Sequence, residues 1–164
     1  MAMENVTTIE ICKDYLKFSA AHFTIFSADR RERLHGHNFA VNIAVTVPVG
    51  ASGMSFSYKE IKKRIKVLCN ELDEYTLMPA DSPYLKIKDD GLYYRINFNG
   101  EDMLFLKSDT VLLPIRNTTV EEFSRYLLAR LVEDKDFLEQ YKVSKMILKV
   151  SSGPGQWASC CWER

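Results

Sequence analysis

The sequence lacks the features that mark several large classes of protein. Its 22 lysines and arginines are balanced by 22 aspartates and glutamates, so no net charge attracts the chain to nucleic acid or to a bilayer. No stretch approaches the roughly 18 consecutive apolar residues of a membrane-spanning helix. Residues 1–10 lack the basic and apolar segments of a secretory leader. We therefore predict a cytoplasmic protein that binds neither nucleic acid nor membrane.

Cysteine is scarce, and its four copies lack the C-x-x-C spacing of thiolate metal sites and redox motifs. Cys160 and Cys161 are adjacent, so their side chains are predicted to point to opposite faces of a strand. In a reducing compartment we expect four reduced thiols, most of them buried. We favour this interpretation over a disulfide or a thiolate metal site.

The length of 164 residues and the 46% apolar content predict one domain, spanning residues 1–164. Apolar, β-rich runs predict two strands over 6–23 and 34–47, joined by the polar segment 27–33. A capping-box pattern at Ser57 and Glu60 opens an amphipathic helix over 58–73. Thr118 or Thr119 is expected to cap a second helix that ends near Glu133.

Three short β-rich runs, 84–88, 92–98 and 103–107, are separated by Asp-Asp-Gly and Asn-Gly turn sequences and predict a small meander. A final strand pair is predicted over 143–150 and 158–162. The expected order is β-β-α, a β insert, then α-β-β, which makes the fold class α+β.

The three histidines of the chain fall within sixteen residues. The two-residue spacing of His35 and His37 places both on one face of a strand. An antiparallel neighbour lies only about 5 Å away, so His22, near the end of the preceding strand, can approach the same point. Three imidazoles with an open fourth position are the pattern of catalytic zinc sites.

A chance gathering of ordinary histidines is the competing interpretation, since H-x-H alone is a weak signal. We favour a metal site because all the histidines share one predicted strand pair. Imidazole ligands favour one zinc ion per subunit over magnesium, while ligand type alone leaves manganese, iron and nickel open.

The motifs FSAAH at 18–22 and LHGHNF at 34–39 closely resemble the signature of the family of 6-pyruvoyl-tetrahydropterin and 6-carboxytetrahydropterin synthases. The resemblance extends over about residues 11–162. It implies the tunnelling fold, β-β-α-α-β-β, with an antiparallel sheet, two helices on one face and subunits that join into an oligomeric barrel. It also implies a homohexamer built from trimers, with His22, His35 and His37 binding zinc.

Other residues depart from the family pattern. Most members carry a catalytic cysteine three residues before the Leu-His-Gly-His motif, where this chain has Arg31. The adjacent Glu32 resembles a variant in which glutamate replaces the cysteine, and the side chain of dihydroneopterin triphosphate is cleaved to a 6-hydroxymethyl pterin. Alternatively, Glu32 is a solvated loop residue neutralised by Arg31 and Arg33.

The proton relay and the substrate anchor differ as well. The resemblance implies an Asp-His pair after the first helix, and this chain has Asp73 and Glu74 there. The glutamate that holds the pterin ring in the family is missing at Val150. Thr119 and Glu121 match a threonine-x-glutamate pattern that contacts the pterin, although Glu121 can equally be the third residue of a helix cap.

These features predict a zinc-dependent lyase of pterin biosynthesis that acts on 7,8-dihydroneopterin triphosphate or a related dihydropterin. Glu32, Asp73 and Glu74 are the candidates for proton transfer. The alternative is a metal-containing tunnelling-fold protein that binds a planar heterocycle without turning it over, as a sensor or carrier.

Overall fold

The computed structural model describes residues 5–164. None of the helices in this range is long and apolar enough to cross a membrane. In chain order the elements are β1 (Val6–His22), β2 (His35–Pro48), α1 (Tyr58–Leu72), β3 (Tyr75–Pro79), β4 (Leu85–Asp90), β5 (Tyr93–Phe98), β6 (Glu101–Leu106), β7 (Thr110–Leu113), α2 (Val120–Val132), α3 (Lys135–Gln140), β8 (Lys145–Gly153) and β9 (Gln156–Glu163).

Six strands form the main sheet, in the order β7-β3-β1-β2-β8-β9. The four long strands β1, β2, β8 and β9 run antiparallel to one another. On the other side of β1, β3 pairs with it in parallel, and β7 pairs in parallel with β3. The α+β fold class is confirmed, but the expected four strands are two too few. β3 and β7 are only five and four residues long, too short to show a clear period in the sequence.

The main core lies between the sheet and the helices α1 and α2. Each helix buries one apolar stripe, which includes Ile61, Ile65 and Leu72 on α1 and Phe123 and Leu127 on α2. The spacing of three to four residues places these side chains on one helix face, while charged residues occupy the opposite face.

The helix caps differ from the expectation in one case. Ser57 holds the N-cap position of α1, but its side chain accepts no hydrogen bond there, so the expected capping box does not form. At α2 the cap is Thr119, whose hydroxyl accepts a hydrogen bond from the backbone N–H of Glu122 at 3.4 Å.

The predicted meander is confirmed as a separate sheet of β4, β5 and β6. Asn99 and Gly100 both have positive φ angles, 49° and 83°, as a two-residue hairpin turn requires. Ile96 and Phe98 of the meander pack against Phe23 just after β1, forming a second, smaller core with Ile25 and Met78. The meander therefore lies beside the segment that links β1 to β2.

All four cysteines are free, but the expectation that most are buried is wrong. Only Cys69, on the apolar face of α1, is buried. Cys12 and Cys161 lie exposed on the strands, and Cys160 is half-buried. Alternation along β9 turns one member of the vicinal pair toward the core and the other away from it.

Candidate metal centre and flanking grooves

The register of β1 and β2 brings the three histidines together. His22 lies directly opposite His35, and His37 lies opposite Ala20, two residues before His22. Side chains at every second position share a face, so all three imidazoles project to the same side of the sheet. One possible ligand atom from each ring lies within 4.8 Å of the others. The cluster expected from the histidine spacing is therefore present.

Backbone carbonyls orient two of the rings. His22 Nδ1 donates to the carbonyl oxygen of Thr118 at 2.8 Å, and His35 Nδ1 donates to that of Arg33 at 2.7 Å. A proton on Nδ1 leaves the lone pair on Nε2 free, which is the arrangement found in most metal-binding histidines. The Nε2 atoms of His35 and His37 lie 3.0 Å apart. Two imidazole nitrogens bound to one zinc ion have a separation of about 3.3 Å.

His22 provides a direct test of whether a metal fits. Its side chain is only 4% exposed, and within residues 5–164 its buried Nε2 atom has no hydrogen-bond partner. Burial lowers the pKa of His22, and the neighbouring His35 and His37 lower it further, against the opposing effect of the Thr118 hydrogen bond. A neutral ring with a buried, unpartnered lone pair is suited to metal binding, so the residues fit a metal ion.

A cluster of buried aromatic rings packs against the histidines. The Phe39 ring lies 5.3 Å from that of His22 and 5.0 Å from that of Phe123, in edge-to-face contacts. Phe18 stacks on Phe39 at 4.9 Å. Because these rings are fully buried, they hold His22 in place and exclude water from one side of the site.

The segment before α2 carries orienting residues that sequence reasoning missed. The buried hydroxyl of Thr118 donates to the carbonyl oxygen of Phe23 at 2.7 Å. The Asn117 side chain makes two hydrogen bonds to the backbone of Ile25, at 2.8 and 3.0 Å. These bonds fix the carbonyl that orients His22. The Asn-Thr-Thr sequence before a helix signals a cap, but nothing in it signals a metal site.

Glu32 lies at the edge of the histidine cluster. One of its carboxylate oxygens, Oε2, accepts a hydrogen bond from the N–H of Thr24 at 2.9 Å and lies 3.8 Å from His35 Nε2. Burial acts to raise the pKa of Glu32, but the Thr24 hydrogen bonds and the nearby His35 outweigh it, so the pKa lies below its ordinary value. The carboxylate is therefore ionised at neutral pH and positioned to accept a proton.

Arg31 occupies the position of the usual cysteine. Its guanidinium lies over the Phe23 ring at 4.7 Å and 5.5 Å from the Phe98 ring of the meander. Its Nη1 atom donates to the carbonyl oxygen of Glu32 at 2.8 Å. A guanidinium stays protonated in proteins, so Arg31 cannot act as the missing base.

A groove of about 510 Å³, which we call the ring groove, is lined mainly by residues of β1, β2 and the start of β3. His37, Glu74 and Asp109 all line it. Asp73 does not, because its carboxylate accepts a hydrogen bond from the N–H of Ser19 at 2.7 Å and so joins the end of α1 to β1. Of the predicted proton-transfer residues, Glu32 lies beside His35, Glu74 lines the same groove as His37, and the carboxylate of Asp73 is turned toward the backbone.

The predicted substrate contacts of α2 lie outside this groove. The hydroxyl of Thr119 is engaged as the helix cap, and Glu121 is exposed as the second residue of the helix. Glu122, rather than Glu121, is therefore the third helical residue, and its carboxylate accepts from the N–H of Arg116 at 3.0 Å. Val150 is fully buried, so no carboxylate is available at the position of the family's anchor.

Comparison with known proteins decides the family. The family model described as 6-pyruvoyl tetrahydropterin synthase matches residues 10–162. This chain belongs to that family. Membership makes it a lyase-type enzyme of pterin biosynthesis, in a family that is generally metal-dependent.

Relatives in two groups of organisms support the assignment. The 6-pyruvoyl tetrahydropterin synthase of Plasmodium vivax is 28% identical, with a TM-score of 0.92 over 98% of this chain and 99% of that one. The Plasmodium falciparum structure is 27% identical, with the same TM-score and coverage. A Methanocaldococcus jannaschii protein, provisionally assigned as a 6-carboxy-5,6,7,8-tetrahydropterin synthase, is 27% identical over 146 residues, which are 87% of this chain and 88% of that protein.

Proposed function

We propose that this family member is a zinc-dependent lyase acting on 7,8-dihydroneopterin triphosphate or a related dihydropterin. The observation that carries the proposal is the position of Glu32, an ionised carboxylate 3.8 Å from a histidine of the metal cluster. The reaction we favour cleaves the side chain of the substrate and leaves a 6-hydroxymethyl pterin.

The ligand set supports zinc. Three neutral imidazoles leave one position for the substrate, as in catalytic zinc sites, and magnesium prefers oxygen ligands. A bound zinc ion would polarise the side-chain oxygens of the substrate and make their protons easier to remove. His22, His35 and His37 are the residues that would hold it.

Glu32 is proposed as the base that takes a proton from a side-chain hydroxyl. As the O–H bond breaks, the oxygen forms a carbonyl, and the adjacent carbon–carbon bond gives its electron pair to the carbon attached to the pterin ring. That carbon then needs a proton, and Glu74, which shares the ring groove with His37, is our candidate to supply it. Asp73 remains a candidate proton-transfer residue from the resemblance alone.

Structures of a relative support a glutamate in this role. Two variants of the Plasmodium vivax enzyme replace a glutamate, named as a catalytic residue, by alanine and by cysteine. Each is 27% identical to this chain with a TM-score of 0.92. We propose that Glu32 is the equivalent residue here, because it is the carboxylate closest to the metal cluster and a cysteine is absent from the loop.

The ring groove is our candidate pterin site. Its volume of about 510 Å³ lies within the range of small-molecule sites. Glu74 and Asp109 line it, and carboxylates are suited to accept hydrogen bonds from the amino and ring N–H groups of a pterin. Thr119 and Glu121 do not line this groove. We expect them to contact only a substrate that is bound in the ring groove of a neighbouring subunit.

We further propose a homohexamer built from two trimers. The main sheet ends in β7 and β9, and such edges in one chain offer unpaired backbone groups to neighbours. Joining subunits edge to edge would close the barrel that the family resemblance implies. The four free cysteines suit a reducing compartment, and we place the enzyme in the cytoplasm.

The test is turnover by the zinc-loaded protein. We expect it to consume 7,8-dihydroneopterin triphosphate, and separation of the oxidised fluorescent products should identify a 6-hydroxymethyl pterin. Binding of the substrate without consumption would contradict the lyase and favour the non-catalytic carrier. A 6-pyruvoyl or 6-carboxy product would keep the lyase and correct the reaction.

A further inference from the structure

Three arginines without acidic partners gather beside the metal cluster. Five of the nine arginines form ion pairs with a carboxylate, namely Arg64, Arg95, Arg125, Arg130 and Arg164. Within residues 5–164, Arg30, Arg31 and Arg33 form none. All three line one groove of about 320 Å³, which we call the arginine groove. Guanidinium groups without a carboxylate partner that line one groove make it a candidate site for an anion.

The loop holds two of these arginines in fixed places. Ile25 and Arg31 form an isolated antiparallel bridge, and the N–H of Phe26 donates to the carbonyl oxygen of Arg30 at 2.9 Å. The Arg31 guanidinium is held between the rings of Phe23 and Phe98, and its buried Nε atom has no partner among residues 5–164. Arg30 lies over the Phe26 ring at 5.3 Å.

The acidic residues of the groove must be weighed against these cations. Asp29, Glu32 and Glu101 also line it. The Asp29 carboxylate accepts from the Ser27 hydroxyl at 2.6 Å, and that of Glu32 faces Thr24 and His35. Both carboxylates have hydrogen-bond partners but keep their negative charge. The side chain of Glu101, the first residue of β6, has no hydrogen-bond or ion-pair partner among residues 5–164.

Each groove includes residues at or beside the metal cluster. Glu32 and Arg33 line the arginine groove, and Gly36 and His37 line the ring groove. Arg33 and Gly36 are three residues apart in the sequence, with a bend at Leu34 just before β2. We expect a substrate whose reactive carbons lie at the histidines to place its ring in the ring groove and its charged tail in the arginine groove.

We infer that the arginine groove binds the phosphate chain of the substrate. Guanidinium groups form paired hydrogen bonds to phosphate oxygens, and three of them can contact several charged groups of one phosphate chain. The inference rests on the proposed function. It also gives the meander a role, since Phe98 fixes Arg31 and the turn at Asn99 closes the groove.

The kinetic test uses Arg30→Gln and Arg33→Gln in the zinc-loaded full chain. Both side chains are exposed, and the Arg33 carbonyl that orients His35 is unchanged by the substitution. We expect each to raise KM for dihydroneopterin triphosphate about tenfold with little change in kcat, and to leave KM for dephosphorylated dihydroneopterin unchanged. Arg116→Gln is the matched control, because Arg116 is exposed, lies outside the groove and forms no ion pair with the described residues 5–164. Equal effects on both substrates would overturn the inference.

A binding test separates this inference from the proposed function. Inorganic tripolyphosphate, supplied with excess magnesium so that it does not remove zinc, is titrated calorimetrically into the zinc-loaded protein. We expect Arg30→Gln and Arg33→Gln to weaken binding and Glu101→Gln to strengthen it. If tripolyphosphate binds in this way but the pterin is not consumed, the anion site in the arginine groove is supported and the proposed lyase activity is rejected.

Two other outcomes reject the groove as a substrate site. Tripolyphosphate binding that is absent, or that is the same in all variants, would show that the arginines do not form an anion site. Arginine-dependent binding that does not compete with neopterin triphosphate would make the groove a site for free phosphate, separate from the substrate.

Discussion

Replacement of Glu32 by glutamine tests the catalytic proposal most directly. The change removes the negative charge and the proton acceptor but keeps the size of the side chain. The amide oxygen of glutamine can still accept the hydrogen bond from the N–H of Thr24, which Glu32 accepts at 2.9 Å. We therefore expect the loop and the zinc content to be retained, so that a loss of rate reports proton transfer rather than unfolding.

The expected magnitude follows from the exposure of the carboxylate. Positioned general bases contribute about 10²- to 10⁴-fold in rate. The Glu32 side chain is 36% exposed, so water can replace part of its function and the lower half of that range applies. We expect kcat to fall about 10²- to 10³-fold, which corresponds to about 3–4 kcal/mol of activation free energy.

The assay measures kcat with dihydroneopterin triphosphate on protein whose zinc content has been determined by elemental analysis. Glu133→Gln is the control, because it removes an equivalent carboxylate that is 71% exposed at the end of α2. A Glu32→Gln variant with wild-type kcat and full zinc would refute the role of Glu32 as the base.

Four further expectations concern the metal, the fold and the assembly. Replacing both His35 and His37 by alanine should abolish zinc binding; stoichiometric zinc in the purified double variant would show that the site is misplaced. Asp73→Ala should lower the free energy of unfolding in urea by about 1–2 kcal/mol by leaving the Ser19 N–H without its acceptor, and Asp73→Asn by less. Burial raises the pKa of Cys69 to about 12, so this thiol should react with a thiol reagent at pH 8 only after denaturation. In Cys69→Ser the number of protected thiols should fall by one, and an unchanged number would contradict the burial. Sedimentation at micromolar concentration should give a hexamer, and a monomer would count against the barrel.

Much of the site was predictable because histidine spacing has a direct geometric meaning. Alternation along a strand places His35 and His37 on one face, and the pairing of β1 with β2 adds His22. The carbonyls that orient two of the rings were not predictable. Thr118 is 96 residues from His22 in the sequence, and its backbone carbonyl carries no residue-specific signal.

Elements with a clear period were predicted more accurately than short ones. The helix predicted over 58–73 ends one residue earlier, at Leu72, and the second helix is followed by Glu133 as expected. β3 and β7 were missed because their strand conformation comes from pairing, of β3 with β1 and of β7 with β3, rather than from local pattern. The cysteines were misjudged for a related reason, since residue type does not show which face of a sheet is covered.

The replacement of the usual cysteine by Arg31 changes more than one property of the site. It removes a thiol, and it adds a cation held between two aromatic rings, whose Nη1 atom donates to the carbonyl oxygen of Glu32. The N–H of Glu32 in turn donates to the carbonyl oxygen of Thr24 at 2.8 Å. The backbone of the proposed base is thus held twice, by the Arg31 side chain and by the backbone of Thr24, two residues after β1. Restoring a cysteine at position 31 would therefore not simply exchange one base for another, because it would also release Glu32 and remove one cation from the arginine groove.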